Sequence, residues 1–447
     1  MIRKIGCLIA FSLAIAGIGL AQAAAPAIPS TPAGQTLKAW LDASNTTDRA
    51  SIEAYVKTID HSQSVDGMLG FHNQTGGFDL LSIESSEPLH IRFRVKEKNG
   101  PTTALGNLMV KDGQPPTVAT FGLRALPPGV VLENVTIDAA ERKKVMDGIA
   151  AELNKAYVEP DVAQKMVDAM QAHAEHGDYD AITDGDAFAE KLTDDLEAVS
   201  HDKHLHVNFS PFKMPPMHEP TPEDEARFHQ QMEHDNCAFD KVEILPNNIG
   251  YVKFDGFMDA SFCGPTVAAA MGFVAHTDAV IFDIRQNGGG QPLMVALIAS
   301  YLFDKPTHLI DIYNREENST TQNWTQSYLP GPRLAKQPVF VLTSNRTFSG
   351  AEEFAFDLQT QKRATIVGET TGGGAHPVSG HTVADYFMIG VPFAKSLDPV
   401  TKKNWEGTGV VPDVKVAADD ALATAQKLAV EKIHAKPDGK EPGPPKP

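Results

Sequence analysis

The sequence predicts an α/β core preceded by a helical region and a small α+β N-terminal module. Three observations carry that expectation. From about residue 238, short apolar runs (VEILP, IGYVKF, DAVIFDIR, PVFVLT, ATIVGET) alternate with helix-like stretches, the texture of a βα-alternating core. Residues 137–200 place apolar side chains at three- and four-residue steps throughout, as helices do. Residues 35–130 open with two helical stretches and continue as short alternating strands.

In chain order, residues 1–23 read as a signal peptide. Arg3 and Lys4 precede the apolar run CLIAFSLAIAGIGLA, and Ala21-Gln22-Ala23 forms a small-residue cleavage site. Cys7 falls inside that segment, too early for a lipidated N-terminus. No other stretch is long and apolar enough to span a bilayer, so the expectation is an exported protein with no membrane anchor after cleavage. Loss of Arg3 and Lys4 takes the formal charge from −18 to −20. Such an acidic surface excludes nucleic acid as a partner, since phosphate binding needs basic patches.

After a leader (24–34), the α+β module of residues 35–130 contains GQTLKAWLDAS and DRASIEAYVKTI as helices, then LHIRFRVKE, ALGNLMVKD and TVATFGLRAL as strands. The helical region spans 135–207, with Thr136 or Asp138 as its first cap. Residues 208–237, rich in Pro, Met and charge, read as a connector. The core spans 238–428, with Asn247-Asn248 as a hairpin turn, and 432–447 reads as a disordered tail. Cys237 and Cys263 are equally compatible with a disulfide and with two buried thiols. A sequon at Asn345-Arg346-Thr347 would crowd a glycan against Ser349, which favours a bacterial periplasm over a eukaryotic secretory route.

The chemistry centres on TSNRTFSGAEEFAFDLQ (343–359). Ser349-Gly350 falls between a buried strand and a helix, where free backbone N–H groups and the helix dipole favour negative charge. A helix cap is the ordinary reading of such a serine, and a nucleophile beside an oxyanion site is the other. The loop Asp283-Ile284-Arg285-Gln286-Asn287-Gly288-Gly289-Gly290 also follows a buried strand. It is either a tight turn or a cradle of N–H groups for an anion. It is neither a dinucleotide fingerprint nor a phosphate-binding loop with its lysine. His201, His204 and His206 cluster in SHDKHLHV, as a base for the serine, as metal ligands with Asp202, or as surface residues. His376 and His381 are secondary candidates. Glu406 lies in a loop, and Glu352 and Glu353 read as first-turn acids suited to the helix dipole.

Together these segments resemble the serine peptidase family that contains the C-terminal processing (tail-specific) proteases, tricorn protease and interphotoreceptor retinoid-binding protein. IGYVKFDGF, DAVIFDIRQNGGG, TSNRTFSGAEEFA, ATIVGETTGGG and EGTGVVPDV follow in family order, and the helical region ending in SHDKHLHV is similar to the branch near the retinoid-binding protein. The resemblance implies a ClpP/crotonase-like core. It makes Ser349 the nucleophile, with the N–H groups of Gly350 and Gly289 as oxyanion donors. Tail-specific members end G-x-x-T-x-G-K in a catalytic lysine, whereas Gly374 stands at that position here, which removes a Ser/Lys dyad. Tricorn-like members use a histidine and a glutamate, matched by His204 and Glu406. A serine that bridges these two is replaced by Lys203, so either Glu406 meets His204 directly or Lys203 pairs with Glu406. The module that grips substrate C-termini in tail-specific proteases is also missing.

The resulting expectation is an exported, periplasmic or secreted serine peptidase. It would act on peptides or unfolded proteins without cofactor or metal, its oligomeric state open. The alternatives are a carrier of a hydrophobic ligand on the same fold and a zinc hydrolase using the histidines of residues 201–206.

Overall fold

The computed structural model describes residues 26–126, 130, 133, 135–214 and 221–435. The expected signal peptide and nearly all of the expected tail lie outside them. The chain divides into two units, one ending at Val130 and the other beginning at Val131.

In the first unit, helices α1 (Pro32–Ser44), α2 (Arg49–Thr58) and α3 (Val65–Thr75) precede the strands β1 (Phe78–Ser86), β2 (His90–Glu97), β3 (Thr103–Lys111) and β4 (Thr117–Ala125). The strands form one antiparallel meander. Trp40 of α1 meets the rings of Phe78, Phe93 and Phe121 at 5.4, 5.6 and 5.0 Å between centroids, which seats the helix on the sheet. Helix α3 and strand β1 are additions to the sequence reading. Only Met68 and Thr75 of α3 are buried, so its helical period is faint, and its boundaries come from Ser64 as cap and a left-handed Gly76.

The second unit starts with α4 (Ala139–Ala156), α5 (Pro160–His176) and α6 (Gly185–Ser200), followed by the short strand β5 (His206–Phe209). The expected connector is not continuous loop, for it contains α7 (Pro222–His234). Thr221 and Asp224 form a reciprocal capping box, and three acids occupy the first turn, which outweighs the proline-rich composition before it.

The core comprises β6 (Phe239–Leu245), β7 (Ile249–Phe254), α8 (Ala260–Phe273), β8 (Ala279–Asp283), α9 (Pro292–Ser300), β9 (His308–Asn314) and β10 (Ser319–Trp324). It continues through β11 (Val339–Thr343), α10 (Gly350–Thr360), β12 (Thr365–Gly368), β13 (Val378–Ala384), β14 (Phe387–Pro392), β15 (Ala394–Leu397), β16 (Val414–Lys415) and α11 (Ala421–His434). Helix α11 runs past residue 432, where the tail was expected to begin.

Six strands form one sheet in the order β16-β12-β11-β8-β7-β6, parallel except for the β6–β7 hairpin. Asn247 and Asn248 turn that hairpin at φ +65° and +55°. Every residue of β8 and β11 is buried, as strands covered on both faces require. Cys237 and Cys263 are joined in a disulfide that ties the start of β6 to α8.

Two small antiparallel sheets flank this core, β10-β9-β15 and β13-β14-β5. The second matters for function. Strand β5 pairs with β14 through Val207↔Ile389 and His206↔Gly390. That register carries the end of the helical region, with its histidines, against the core.

Candidate active site

Strand β11 ends at Thr343, a short turn follows, and α10 begins at Gly350. Ser349 sits at the junction with φ +52° and ψ −123°. An ordinary N-cap residue has extended backbone, as Asp138, Asp184 and Thr221 have in this chain. A serine held at positive φ is strained, and such strain persists only where surrounding structure imposes it. The imposing structure is the glycine loop. A Cβ on Gly289 would lie 2.7 Å from Gly350 N and 2.8 Å from Phe348 O, so only glycine lets the loop press against the serine turn. Phe348 N–H also donates to the Asn287 carbonyl at 3.1 Å.

Ser349 is half-buried and lines a cavity of about 570 Å³ shared with His204, Gly288, Gly350, His376 and Trp405. Gly350 N–H lies in the first turn of α10, where a helix leaves its N–H groups without intrahelical partners. Gly289 N–H is engaged differently from expectation: it donates to Asn287 Oδ1 at 2.8 Å. Asn287 is buried and is itself anchored through Nδ2 on the Phe254 carbonyl.

Of the three clustered histidines, His201 is an exposed left-handed cap of α6 and His206 is exposed, whereas His204 is buried. The imidazole of His204 packs on Phe348, the neighbour of Ser349, with centroids 4.6 Å apart and the rings tilted by 35°. Gly374 makes room for it. A Cβ at 374 would sit 2.6 Å from His204 Cε1 and 2.3 Å from Phe348 Cζ, so a lysine there and this imidazole compete for one space.

His204 Nδ1 is buried without a hydrogen-bond partner, and so is Glu406 Oε1. Asp202 Oδ1 lies 4.0 Å from His204 Nδ1, and single ligand atoms of Asp202, His204 and Glu406 fall within 4.8 Å of one another. Among the described residues this is the group that could hold a metal ion; His201 and His206 do not join it. Glu406 Oε2 accepts the Ala375 N–H at 2.6 Å. Lys203 reaches outward to the Gly372 carbonyl at 2.7 Å, so it does not take the bridging place beside Glu406.

The sequence reading gave Asp202 only a metal-ligand role and His376 a secondary one. In the structure Asp202 is buried and hydrogen-bonds His376 Nδ1 at 2.6 Å, while Glu406 approaches the same nitrogen at 3.6 Å. Burial works against charge on His376, but the Asp202 hydrogen bond and the charges of Glu406 and Asp202 raise its pKa overall. Burial lowers His204 to about 4 and outweighs the opposing charge of Asp202. Burial likewise pushes Glu406 up to about 7, against the pull of His376. His204 is thus neutral at neutral pH, the form a base needs. His381 is spent elsewhere, on Glu152 at 2.9 Å.

Glu352 is no surface dipole partner. It is wholly buried and accepts from Thr371 Oγ1 (2.5 Å), Gly373 N (2.7 Å), Gly374 N (2.8 Å) and Ser349 N (2.9 Å). One carboxylate therefore fixes both the serine turn and the loop that borders His204. Glu353 is buried too and lines the cavity.

Residues 248–416 match the model of peptidase family S41, and residues 138–242 match the N-terminal domain of peptidase S41 in eukaryotic IRBP. The chain belongs to peptidase family S41. A carboxyl-terminal-processing protease of Synechocystis is 28% identical over 168 residues, 37% of this chain and 37% of that protein. The chain thus matches little more than a third of that relative's length. Among solved structures, the photosystem II D1 C-terminal processing protease is 13% identical, with 63% of this chain and 94% of that one covered at a TM-score of 0.40. Tricorn protease is 11% identical, with 80% and 41% covered at a TM-score of 0.42. Within the S41 matches, Ser349, Gly289, Gly374 and Glu406 fall in the core segment, and His204 falls in the N-terminal one.

Proposed function

We propose that the chain is an exported serine-type peptidase that hydrolyses peptide bonds of peptides or unfolded proteins, on a ClpP/crotonase-like core. The observation that carries this reading is the strained Ser349 at the N-terminus of α10, in one cavity with a buried, neutral histidine. A capping role needs neither the strain nor the histidine.

In this mechanism His204 takes the Ser349 hydroxyl proton as the oxygen attacks the substrate carbonyl, then returns it to the leaving amine. The tetrahedral oxyanion is held by the Gly350 N–H, with the Gly289 N–H exchanging Asn287 Oδ1 for the oxyanion. When His204 becomes an imidazolium, its Nδ1–H needs an acceptor. Glu406 Oε1 is the buried oxygen left without a partner for that purpose. Catalytic hydrogen bonds of this kind are commonly loose in a resting site and tighten when substrate binds. His376, fixed by its hydrogen bond with Asp202, faces Glu406 as a positioning residue.

The test is covalent labelling by a fluorophosphonate probe, alongside hydrolysis of a peptide library. Labelling of the wild type, and its loss in Ser349→Ala, is the expected result. A Ser349→Ala protein that cleaves peptides at the wild-type rate refutes the serine mechanism. Co-purification of a lipid with an unlabelled protein favours a carrier instead.

A further inference from the structure

We propose that Glu353, backed by Asp357, forms a subsite for a basic side chain, lysine or arginine, on the residue whose carbonyl Ser349 attacks. This rests on the peptidase reading above and names its substrate class.

Glu353 lies four residues after Ser349 on α10, and Asp357 four residues further. On a helix such residues stand above one another on the same face. Glu353 lines the cavity that holds Ser349, one helical turn along α10 from that serine. Both acids are buried, Asp357 completely. Neither carboxylate oxygen of Asp357 has a hydrogen-bond partner. The charges acting on Asp357 are those of Glu353 and Asp398, both carboxyls, with no cation to balance them. Asp398 is itself occupied with the N–H groups of Val400 and Thr401.

Buried carboxyls without donors or cations are costly, and proteins normally pair them. Glu352, their neighbour, shows the usual solution, with donors from Thr371, Gly373, Gly374 and Ser349. Asp357 lacks that solution within the chain, and Glu353, one turn before it, lines the substrate cavity. A substrate ammonium or guanidinium supplies the missing donors and one positive charge, while the second carboxyl keeps its proton. Ile312, Phe393 and Trp405 line the same cavity and suit the aliphatic stem of such a side chain. An apolar guest would leave Asp357 without a partner, and an acidic one would be repelled.

The experiment compares kcat/KM for fluorogenic peptides identical except for lysine, arginine, norleucine or glutamate at that residue. The wild-type protein is expected to prefer lysine or arginine over norleucine by at least about tenfold, a conservative bound for a site built for a polar group. The ratio should fall toward one in Glu353→Gln and in Asp357→Asn. Because each ratio is taken within one protein, a general loss of catalysis cancels, and Glu353→Gln decides the matter alone if Asp357→Asn does not fold. Equal or better cleavage after norleucine by a wild type whose Ser349 labels with fluorophosphonate overturns the subsite and leaves the peptidase reading intact. An unchanged ratio in Glu353→Gln does the same. A wild type that neither labels nor cleaves overturns both.

Discussion

Gly374→Ala is the sharpest test of the proposal that His204 is the base. The added Cβ would lie 2.6 Å from His204 Cε1 and 2.3 Å from Phe348 Cζ. Carbon atoms settle at about 3.5–4.0 Å, so one side of the contact must retreat by about 1 Å. The loop side is held firmly: Gly373 and Gly374 N–H donate to Glu352 at 2.7 and 2.8 Å, and Trp405 Nε1 donates to the Gly374 carbonyl at 2.7 Å. The imidazole, with Nδ1 making no hydrogen bond, is the part free to move. A misplacement of about 1 Å costs on the order of 100-fold in rate, whereas overpacking of this kind costs about 1–3 kcal/mol of stability. Fluorophosphonate labelling and kcat/KM should therefore both drop about 100-fold in a protein whose melting curve shows that it remains folded. Labelling and cleavage within about a factor of two of wild type would refute the placement of His204 as the base.

Three further outcomes follow from the same geometry. With His204 at about 4 and Glu406 at about 7, the activity limb near neutrality belongs to Glu406: kcat/KM should rise with pH through about 7 as that carboxyl ionises. Glu406→Gln should flatten the limb and lower the rate at pH 8 by at least about 100-fold, read from a pH–rate profile. Glu352→Gln turns an amide NH₂ toward several N–H and O–H donors, so urea unfolding should show a loss of about 2–4 kcal/mol together with slower labelling. Replacing Cys237 and Cys263 by serine opens a loop of sequence separation 26 and should lower stability by about 3.5 kcal/mol in the chain-entropy treatment, measured in the same way.

Glu353 adds a stability signature. Burial raises its pKa to about 8, so the folded state holds that proton more tightly than the unfolded chain. The stability it contributes as an acid declines as pH rises from about 4.5, and the loss is complete above about 8. Asp357, raised by burial and by the charges of Glu353 and Asp398, lies on the same side of that balance.

What the sequence alone determined was local. Ser349-Gly350, the glycine run at 288–290 and Gly374 each sit in a contiguous segment where a buried strand hands over to a turn, and backbone freedom and helix ends are short-range properties. The signals for α7 were equally local, in Thr221, Pro222 and Asp224, but the composition of residues 208–220 masked them. The tertiary structure decided which side chains converge. His204 and His206 are equivalent by spacing; the β5–β14 register buries one against Phe348 and leaves the other exposed. Asp202 and His376 become a pair only through chain segments far apart in sequence. Glu352 and Glu353 read alike as first-turn acids, yet Glu352 gathers four donors, from Ser349 and from residues 371–374, while Glu353 lines the cavity. Burial and donor supply are set by long-range packing, which a position in the first turn of a helix does not reveal.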